Sequence, residues 1–225
     1  MLSPIFIDVE ASGITAGCYP IEVGWARAEA ENGVVRLHAR SILIRPSDAW
    51  RSESWRWDLA SVAAHGLTMD TLLRDGMDVD TVCEVLDGAF SGEVLATDTG
   101  SGDWDDGWLQ MLYEAAGRNR PWEIPETKSG GQVAAHLRLK SLDPRAIRPA
   151  LRHWAPPHSH AAAEDAMTFA WEWGMSELIG GAGAAGLSAE ALSAALADLP
   201  GLIPKKRWPL PTAESEARMR RRSPN

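Results

Sequence analysis

Near the start of the chain the apolar positions fall into short runs. Pro4 to Val9 reads as a strand. Glu22 to Ala30 and Val34 to Ile44 read as two more, separated by the turn signal Glu31-Asn32-Gly33. Three strands so closely joined predict an antiparallel meander. Arg45 to Asp58 is polar, carries Trp50, Trp55 and Trp57, and reads as a loop. Helical spacing begins around Leu59–Ala64. It is clearest in Val79–Phe90, where Val79, Val82, Cys83, Leu86 and Phe90 fall on one side. Val94 to Thr97 predicts a brief strand and Trp104 to Ala116 a helix, while residues 117–145 show no clear period. Pro144 predicts the start of a helix reaching His153, and Pro156-Pro157 its close. Ala161 to Leu178 predicts a further helix with Ser159 as N-cap. A Gly/Ala linker (180–186), a short Ala-rich helix (189–197) and a basic, Pro-containing end follow. The order βββ, α, β, α, α predicts an α/β domain with a mixed sheet.

Composition narrows the class. The 225 residues suffice for one large domain, or one domain and a tail, so the expected division is a domain over 1–179 and an appendage over 180–225. No apolar run approaches the roughly 18 residues of a membrane span. Met1-Leu2-Ser3-Pro4 lacks the basic start and apolar core of a signal peptide. Cys18 and Cys83 are too few for a disulfide framework and form no CxxC pattern. A reduced, cytoplasmic protein is expected, with its oligomeric state, homodimer included, left open.

The net charge of −9 is unevenly spread. Residues 205–225 hold seven basic and two acidic residues (+5), against 15 basic and 29 acidic before them (−14). So acidic a body repels nucleic acid unless positive charge is gathered locally. Residues 118–152 do gather it, with eight Lys or Arg against Glu123, Glu126 and Asp143.

Four carboxylates stand out by position. Asp8 and Glu10 lie two apart on the first strand, hence on one face. Asp105 follows the brief strand, in Asp103-Trp104-Asp105-Asp106-Gly107-Trp108-Leu109. As a bland alternative, Asp103, Asp105 and Asp106 are helix N-terminal acids favoured by the macrodipole. Asp165 sits on the last helix, five residues after His160. Five residues turn a helix by about 500°, so His160 belongs at the helix start or in the loop before it.

In this order the three blocks resemble the DEDDh 3′–5′ exonuclease superfamily of polymerase proofreading subunits, ribonuclease T and oligoribonuclease. The first motif is Asp8-Val9-Glu10-Ala11-Ser12-Gly13, followed by Pro20-Ile21-Glu22-Val23-Gly24-Trp25-Ala26. His65-Gly66-Leu67-Thr68 is similar to the family's His-Gly-Ile-Thr segment. Trp104-Asp105-Asp106-Gly107-Trp108-Leu109 is similar to its Phe-Asp-x-x-Phe-Leu, and His160 to Asp165 matches its His-x4-Asp. Where the family often has His-Asn-Ala, this chain has Asp98-Thr99-Gly100, which leaves Asp103 as a rival to Asp105. His158 also precedes the helix, but only His160 gives the family spacing.

The resemblance implies a ribonuclease H-like fold with a mixed five-stranded sheet flanked by helices. It implies a metal-dependent 3′–5′ exonuclease acting on single-stranded DNA or RNA and releasing nucleoside 5′-monophosphates. Asp8, Glu10, Asp105 and Asp165 would hold two divalent ions about 4 Å apart. Oxygen ligation favours Mg²⁺ or Mn²⁺ over zinc. His160 would be the general base. Ala11, Ser12, Gly13 and Ile14 would line the 3′-nucleotide pocket, with Ser12 meeting the sugar and Ile14 the base; His65 stands between pocket and structural turn. Trp25, Trp108 and Trp171 are expected in the core, while Trp50, Trp55 and Trp57 are candidates for stacking on bases. Two rival readings are a non-catalytic nucleic-acid-binding module of the same fold and a small-nucleotide phosphodiesterase.

The tail is either a solubilising end or an electrostatic arm for nucleic acid. Truncation after Pro204 decides between them. An arm predicts a raised KM and a flatter salt dependence on long strands with turnover at saturation spared; an unchanged salt slope leaves the tail without that role.

Overall fold

The computed structural model describes residues 2–155 and 159–180, and Ala191. Strand β1 (Ile5–Ala11) pairs antiparallel with β2 (Pro20–Glu31), and β2 pairs antiparallel with β3 (Val34–Leu43). Asn32 and Gly33 take positive φ angles of 51° and 77°, the geometry of the two-residue hairpin that the sequence signals. Helices α1 (Asp48–Arg51), α2 (Leu59–His65), α3 (Met69–Asp75) and α4 (Val79–Phe90) follow. Strand β4 (Leu95–Thr97) then runs parallel to β1 on its other side. Helices α5 (Trp104–Ala115), α6 (Ser129–Leu139), α7 (Pro144–Trp154) and α8 (Ala162–Gly180) complete the described elements.

The sheet order is β3-β2-β1-β4. The mixed α/β architecture is as the sequence predicts, but the sheet has four strands among the described residues, not five. Beyond β4 the chain holds Pro121 and Pro125, which cannot donate to a ladder. In place of a neighbouring strand, the Gln132 side chain of α6 donates to the Leu95 carbonyl (2.9 Å).

Two apolar layers fix the sheet. Ile5, Ile7 and Val9 of β1 face Val82, Leu86 and Phe90 of α4 and Leu109 and Leu112 of α5. Phe6, on the opposite face, joins Ala26, Ala28, Leu151, Ala166 and Trp171. Each large side chain buried in this way contributes about 1.5–3 kcal/mol. The alternation that sends Phe6 toward α8 sends Asp8 and Glu10 the same way.

The contact between α8 and β2 is unusually close. A Cβ on Gly24 would lie 2.1 Å from the Ala163 nitrogen and 2.2 Å from the Ala162 carbonyl carbon. The small side chains at 161–163 admit the approach, and the Glu22 carboxylate accepts the Ala162 amide (3.3 Å). Helix α8 begins one residue later than expected. Ser159 does not cap it by the usual backbone contact, since its hydroxyl bonds the Glu164 carboxylate instead. Asp143 caps α7 through the Arg145 amide (3.0 Å), with Pro144 in the first turn. Three helices emerge where the sequence shows no helical signal: α1 in the predicted loop, α3, and α6 within residues 117–145. Pro156-Pro157, His158, the linker, the Ala-rich helix and the basic end lie outside the described residues, save Ala191.

Gly24→Ala is expected to lower stability by about 1–3 kcal/mol, since backbone rather than a side-chain tip must yield. For a chain of this size that is a fall in Tm of roughly 3–10 °C. Thermal melting of the variant with Tm unchanged within 1 °C would show that α8 can ride away from the sheet at no cost.

Candidate active site

Asp8 and Glu10 stand at the C-terminal end of β1. Its parallel neighbour β4 pairs Thr97 with Ile7, so Asp98 emerges level with Asp8. The turn after β4 is built by its own polar groups: the Gly100 amide donates to Thr97 Oγ1 (2.8 Å). Thr99 then positions Asp105. Its hydroxyl donates to Asp105 Oδ2 (2.8 Å) and accepts the Asp105 amide (3.2 Å). Asp105 is buried in the first turn of α5. Asp103 is the exposed N-cap of that helix, accepting the Trp104 amide (3.0 Å) and facing Lys128 (3.5 Å). Asp106 faces away, paired with Arg120 at 2.6 Å.

The close seat of α8 on Gly24, the partner of Asp8 across β1 and β2, carries Asp165 to the same place. Asp165 is buried; Oδ1 accepts the Ser159 amide (2.7 Å) and Oδ2 the His160 amide (2.9 Å). These bonds hold His160 in the left-handed region (φ 54°), a conformation that costs of order 1 kcal/mol in a non-glycine residue. His160 thus lies in the loop before α8, with Nδ1 3.9 Å from Glu10 Oε1. Ligand atoms of Glu10, His160 and Asp165 lie within 4.8 Å of one another.

The electrostatics follow from this crowding. Burial raises the Asp8 pKa well above the carboxylate range, and the charges of Asp105, Glu10, Asp165 and Asp98 raise it further. Burial pushes Asp105 up to about 6, against the lowering effect of its Thr99 hydrogen bonds. A cation reverses the like-charge penalty, and a cluster offering mainly carboxylate oxygens suits a hard divalent ion. The residues present therefore fit such an ion.

The segment after the motif divides. Ile14 is exposed (72%) and Gly13 packs on Cys18 and Asp58. Ala11 is buried, at a register shift that ends the pairing of β1 with β2. Ser12 does not have the expected sugar-facing side chain. It is wholly buried, with Oγ donating to the Arg56 carbonyl (2.6 Å) and accepting the Tyr19 amide (2.9 Å). His65 is buried at the end of α2, and Nδ1 accepts the Leu67 amide (3.0 Å).

Of the loop tryptophans, Trp50 is buried in a stack on Tyr19 (5.1 Å between centroids), and Trp57 packs beside the same ring. Trp55 remains exposed, with the Arg56 guanidinium 6.0 Å from its ring. Trp25 and Trp171 are in the core, and Trp108 packs partly buried against it. A cleft of 410 Å³ opens beside the site between the β1–β2 loop and α5, lined by Thr15, Gly17, Cys18, Trp104, Trp108 and Met111. Trp104 is exposed there and tilted 32° against Trp108. The residues that sequence reasoning passed over are Asp98, Thr99 and Glu22. The signal was their position at strand ends beside the motif acids.

No protein-family profile matches the chain, and neither does any curated protein. Solved structures do match. Escherichia coli exonuclease I in complex with a dA16 oligonucleotide aligns with a TM-score of 0.51 at 13% identity, covering 85% of this chain and 42% of that one. A zinc-bound form of its complex with single-stranded DNA aligns with a TM-score of 0.50 at 14% identity, covering 78% and 39%. The chain thus spans about two fifths of the length of these structures. Its α/β fold is similar to that of the matched part of exonuclease I. No helix among the described residues is long and apolar enough to cross a membrane.

Because folding raises the pKa of Asp8 and Asp105, the folded state binds more protons than the unfolded chain, and this part of its stability is lost as pH rises. For Asp105 the window runs from about 4 to about 6, and the shift amounts to roughly 3 kcal/mol. Asn at position 8 cannot ionise. Metal-free Asp8→Asn is therefore expected to melt at or above wild type at pH 7.5, with the difference shrinking toward pH 4. Mg²⁺ should raise the wild-type Tm much more than that of the variant. A variant that melts well below wild type at pH 7.5 would contradict the buried-charge account.

Proposed function

We propose that this chain is a metal-dependent 3′–5′ exonuclease that hydrolyses single-stranded DNA or RNA from the 3′ end and releases nucleoside 5′-monophosphates. The observation that carries this reading is the convergence on Asp8 of Glu10, Asp105 and Asp165, from β1, α5 and α8, with His160 beside them. An isolated set of buried like charges is a stability cost; a cation site gives it a use. The single-stranded DNA held by the exonuclease I structures is in keeping with this substrate class.

Asp8, Glu10, Asp105 and Asp165 would hold two ions, Mg²⁺ or Mn²⁺. When bound, such ions supply positive charge opposite the attacking and leaving oxygens of a phosphodiester. Thr99 fixes Asp105 by donating to its carboxylate and accepting its backbone amide. The Ser159 and His160 amides fix the Asp165 carboxylate by donating one hydrogen bond to each of its oxygens. His160 takes the proton of the attacking water on its imidazole, whose ordinary pKa of about 6.5 suits a base at neutral pH. Its strained backbone holds the ring beside Glu10 instead of on the helix face. The last base of the strand would rest in the cleft against Trp104, near Ile14. Ser12 supports that cleft from beneath by tying the β1–β2 loop to the Arg56 carbonyl.

A 5′-labelled 20-mer and a dinucleotide, digested side by side with Mg²⁺ or Mn²⁺, test the proposal. Laddering from the 3′ end is the expected result. Cleavage of the dinucleotide alone would make the chain a small-nucleotide phosphodiesterase, and no cleavage of either would make it a binding module. Asp8→Ala or Asp165→Ala should abolish turnover while the fold is kept; activity within about tenfold of wild type would overturn the two-ion assignment. His160→Ala should cost about 10²–10⁴ in turnover with metal affinity nearly unchanged. Much weaker metal binding in that variant would make His160 a ligand.

A further inference from the structure

The eight cations of residues 118–152 form one stretch in sequence and two groups in space. Arg118 pairs with Asp87 (2.9 Å), Arg120 with Asp106 (2.6 Å) and Lys140 with Glu177 (2.8 Å), while Lys128 faces Asp103 (3.5 Å). Each of these four is matched by an acid. The other four gather at a groove of 450 Å³ between α6 and α7. Arg138 comes from α6. Arg145, Arg148 and Arg152 come from α7, where spacings of three and four residues set them on one stripe.

The only carboxylate paired with this group among the described residues is Glu172 of α8. It is fully buried and accepts Arg148 Nε (2.7 Å) and Arg152 Nε (2.9 Å). Asp143 sits at the start of α7, exposed and committed to the helix cap. The groove therefore keeps an excess of positive charge on an acidic protein. Arg138 and Arg145 are exposed and make no ion pair among the described residues.

Arg148 is built into the wall. Its Nη1 donates to the Gly130 carbonyl (3.1 Å), and a Cβ at Gly130 would stand 3.1 Å from that nitrogen. Its Nη2 is buried and has no hydrogen-bond partner among the described residues. That donor is closed to a ligand, so the guanidinium groups open to an anionic oxygen are those of the exposed Arg138 and Arg145. Phosphate matches the guanidinium fork in charge and shape.

The groove is linked to the carboxylate cluster by α8, which carries both Glu172 and Asp165. Glu172 lies seven residues after Asp165, two turns along one face of α8, or about 10 Å.

We propose that this groove binds backbone phosphates of the single strand, a few nucleotides to the 5′ side of the bond being cut. The proposal rests on the exonuclease reading for the strand's direction. Its effect falls on capture, not on the chemical step.

The test uses Arg138→Glu/Arg145→Glu, which leaves the Glu172 pairs and the carboxylate site untouched. The control is Arg36→Glu/Arg40→Glu on β3, with the same change of charge at exposed positions. The Kd of each protein for a labelled single-stranded 20-mer is measured without metal over a range of salt. The groove variant is expected to bind at least tenfold more weakly, with a log–log salt slope shallower by about 1.4 for two lost phosphate contacts. The control should stay near wild type. With Mg²⁺, the groove variant should show a raised KM on the 20-mer and unchanged turnover of a dinucleotide. Unchanged Kd and salt slope, or an equal loss in the control, overturns the proposal. If wild type binds the 20-mer but cleaves nothing, the exonuclease reading fails while the binding comparison still decides the groove.

Discussion

The contact on which the site depends is the seating of α8 against the sheet at Gly24. Helix and strand meet there with backbone against backbone, closer than any side chain allows. Gly24 is also the partner of Asp8 across β1 and β2. The place where the helix comes nearest the sheet is therefore the place where the first motif acid stands, and a carboxylate three residues along the helix arrives beside it. A second close approach, Gly174 against Ala28 and Val35, holds the far end of α8 down. With both ends fixed, the helix has little freedom to roll, and the direction of Asp165 is set by packing that lies mostly outside the site.

The same contact explains what the sequence could and could not show. Strands β1 and β2, the hairpin at Asn32-Gly33, and helices α4, α5, α7 and α8 carry their patterns openly, because each buries much of its apolar surface, and β3 is marked by the hairpin that joins it to β2 although Ile42 is its only buried residue. Helix α6 does not. It starts Ser129-Gly130-Gly131, two poor helix formers where a signal would be sought, and one of them leaves room for Arg148. The fifth strand came from family resemblance and had no residues of its own behind it. For the candidate site, residue type and spacing singled out Asp8, Glu10, Asp105, Asp165 and His160, which the fold brings near one another. They could not mark the fate of Ser12, whose hydroxyl is consumed by Arg56 and Tyr19, residues 44 and seven positions away. Nor could they sort the tryptophans: Trp50 turns inward because Tyr19 offers it a face, while Trp104 is left beside the cleft.

Charge is sorted with similar economy. At the carboxylate cluster, like charges are packed together and their pKa values rise. At the α6–α7 groove, four arginines gather near one buried acid, which pairs with two of them. Each arrangement is unfavourable alone, and each becomes favourable with the opposite charge present: a divalent cation in the first, a phosphate in the second. A nucleic-acid strand with its metal ions would answer both. Elsewhere the cations of residues 118–152 are matched by acids, which keeps the positive field confined to one face of an otherwise acidic protein.

Asp98 is where this chain departs from the family pattern, and its position gives the departure a physical meaning. The parallel pairing of β4 with β1 leaves no choice about where residue 98 appears: beside Asp8, at the same end of the sheet. Its charge raises the pKa of both Asp8 and Asp105. The next residue, Thr99, works the other way, since its hydroxyl stabilises the ionised form of Asp105. Adjacent residues of one turn thus push the same carboxylate in opposite directions. The charge of Asp98 deepens the negative potential around Asp8 and Asp105, and Thr99 fixes the Asp105 carboxylate within it. A site so arranged is tuned by the turn after β4 as much as by the motif acids themselves.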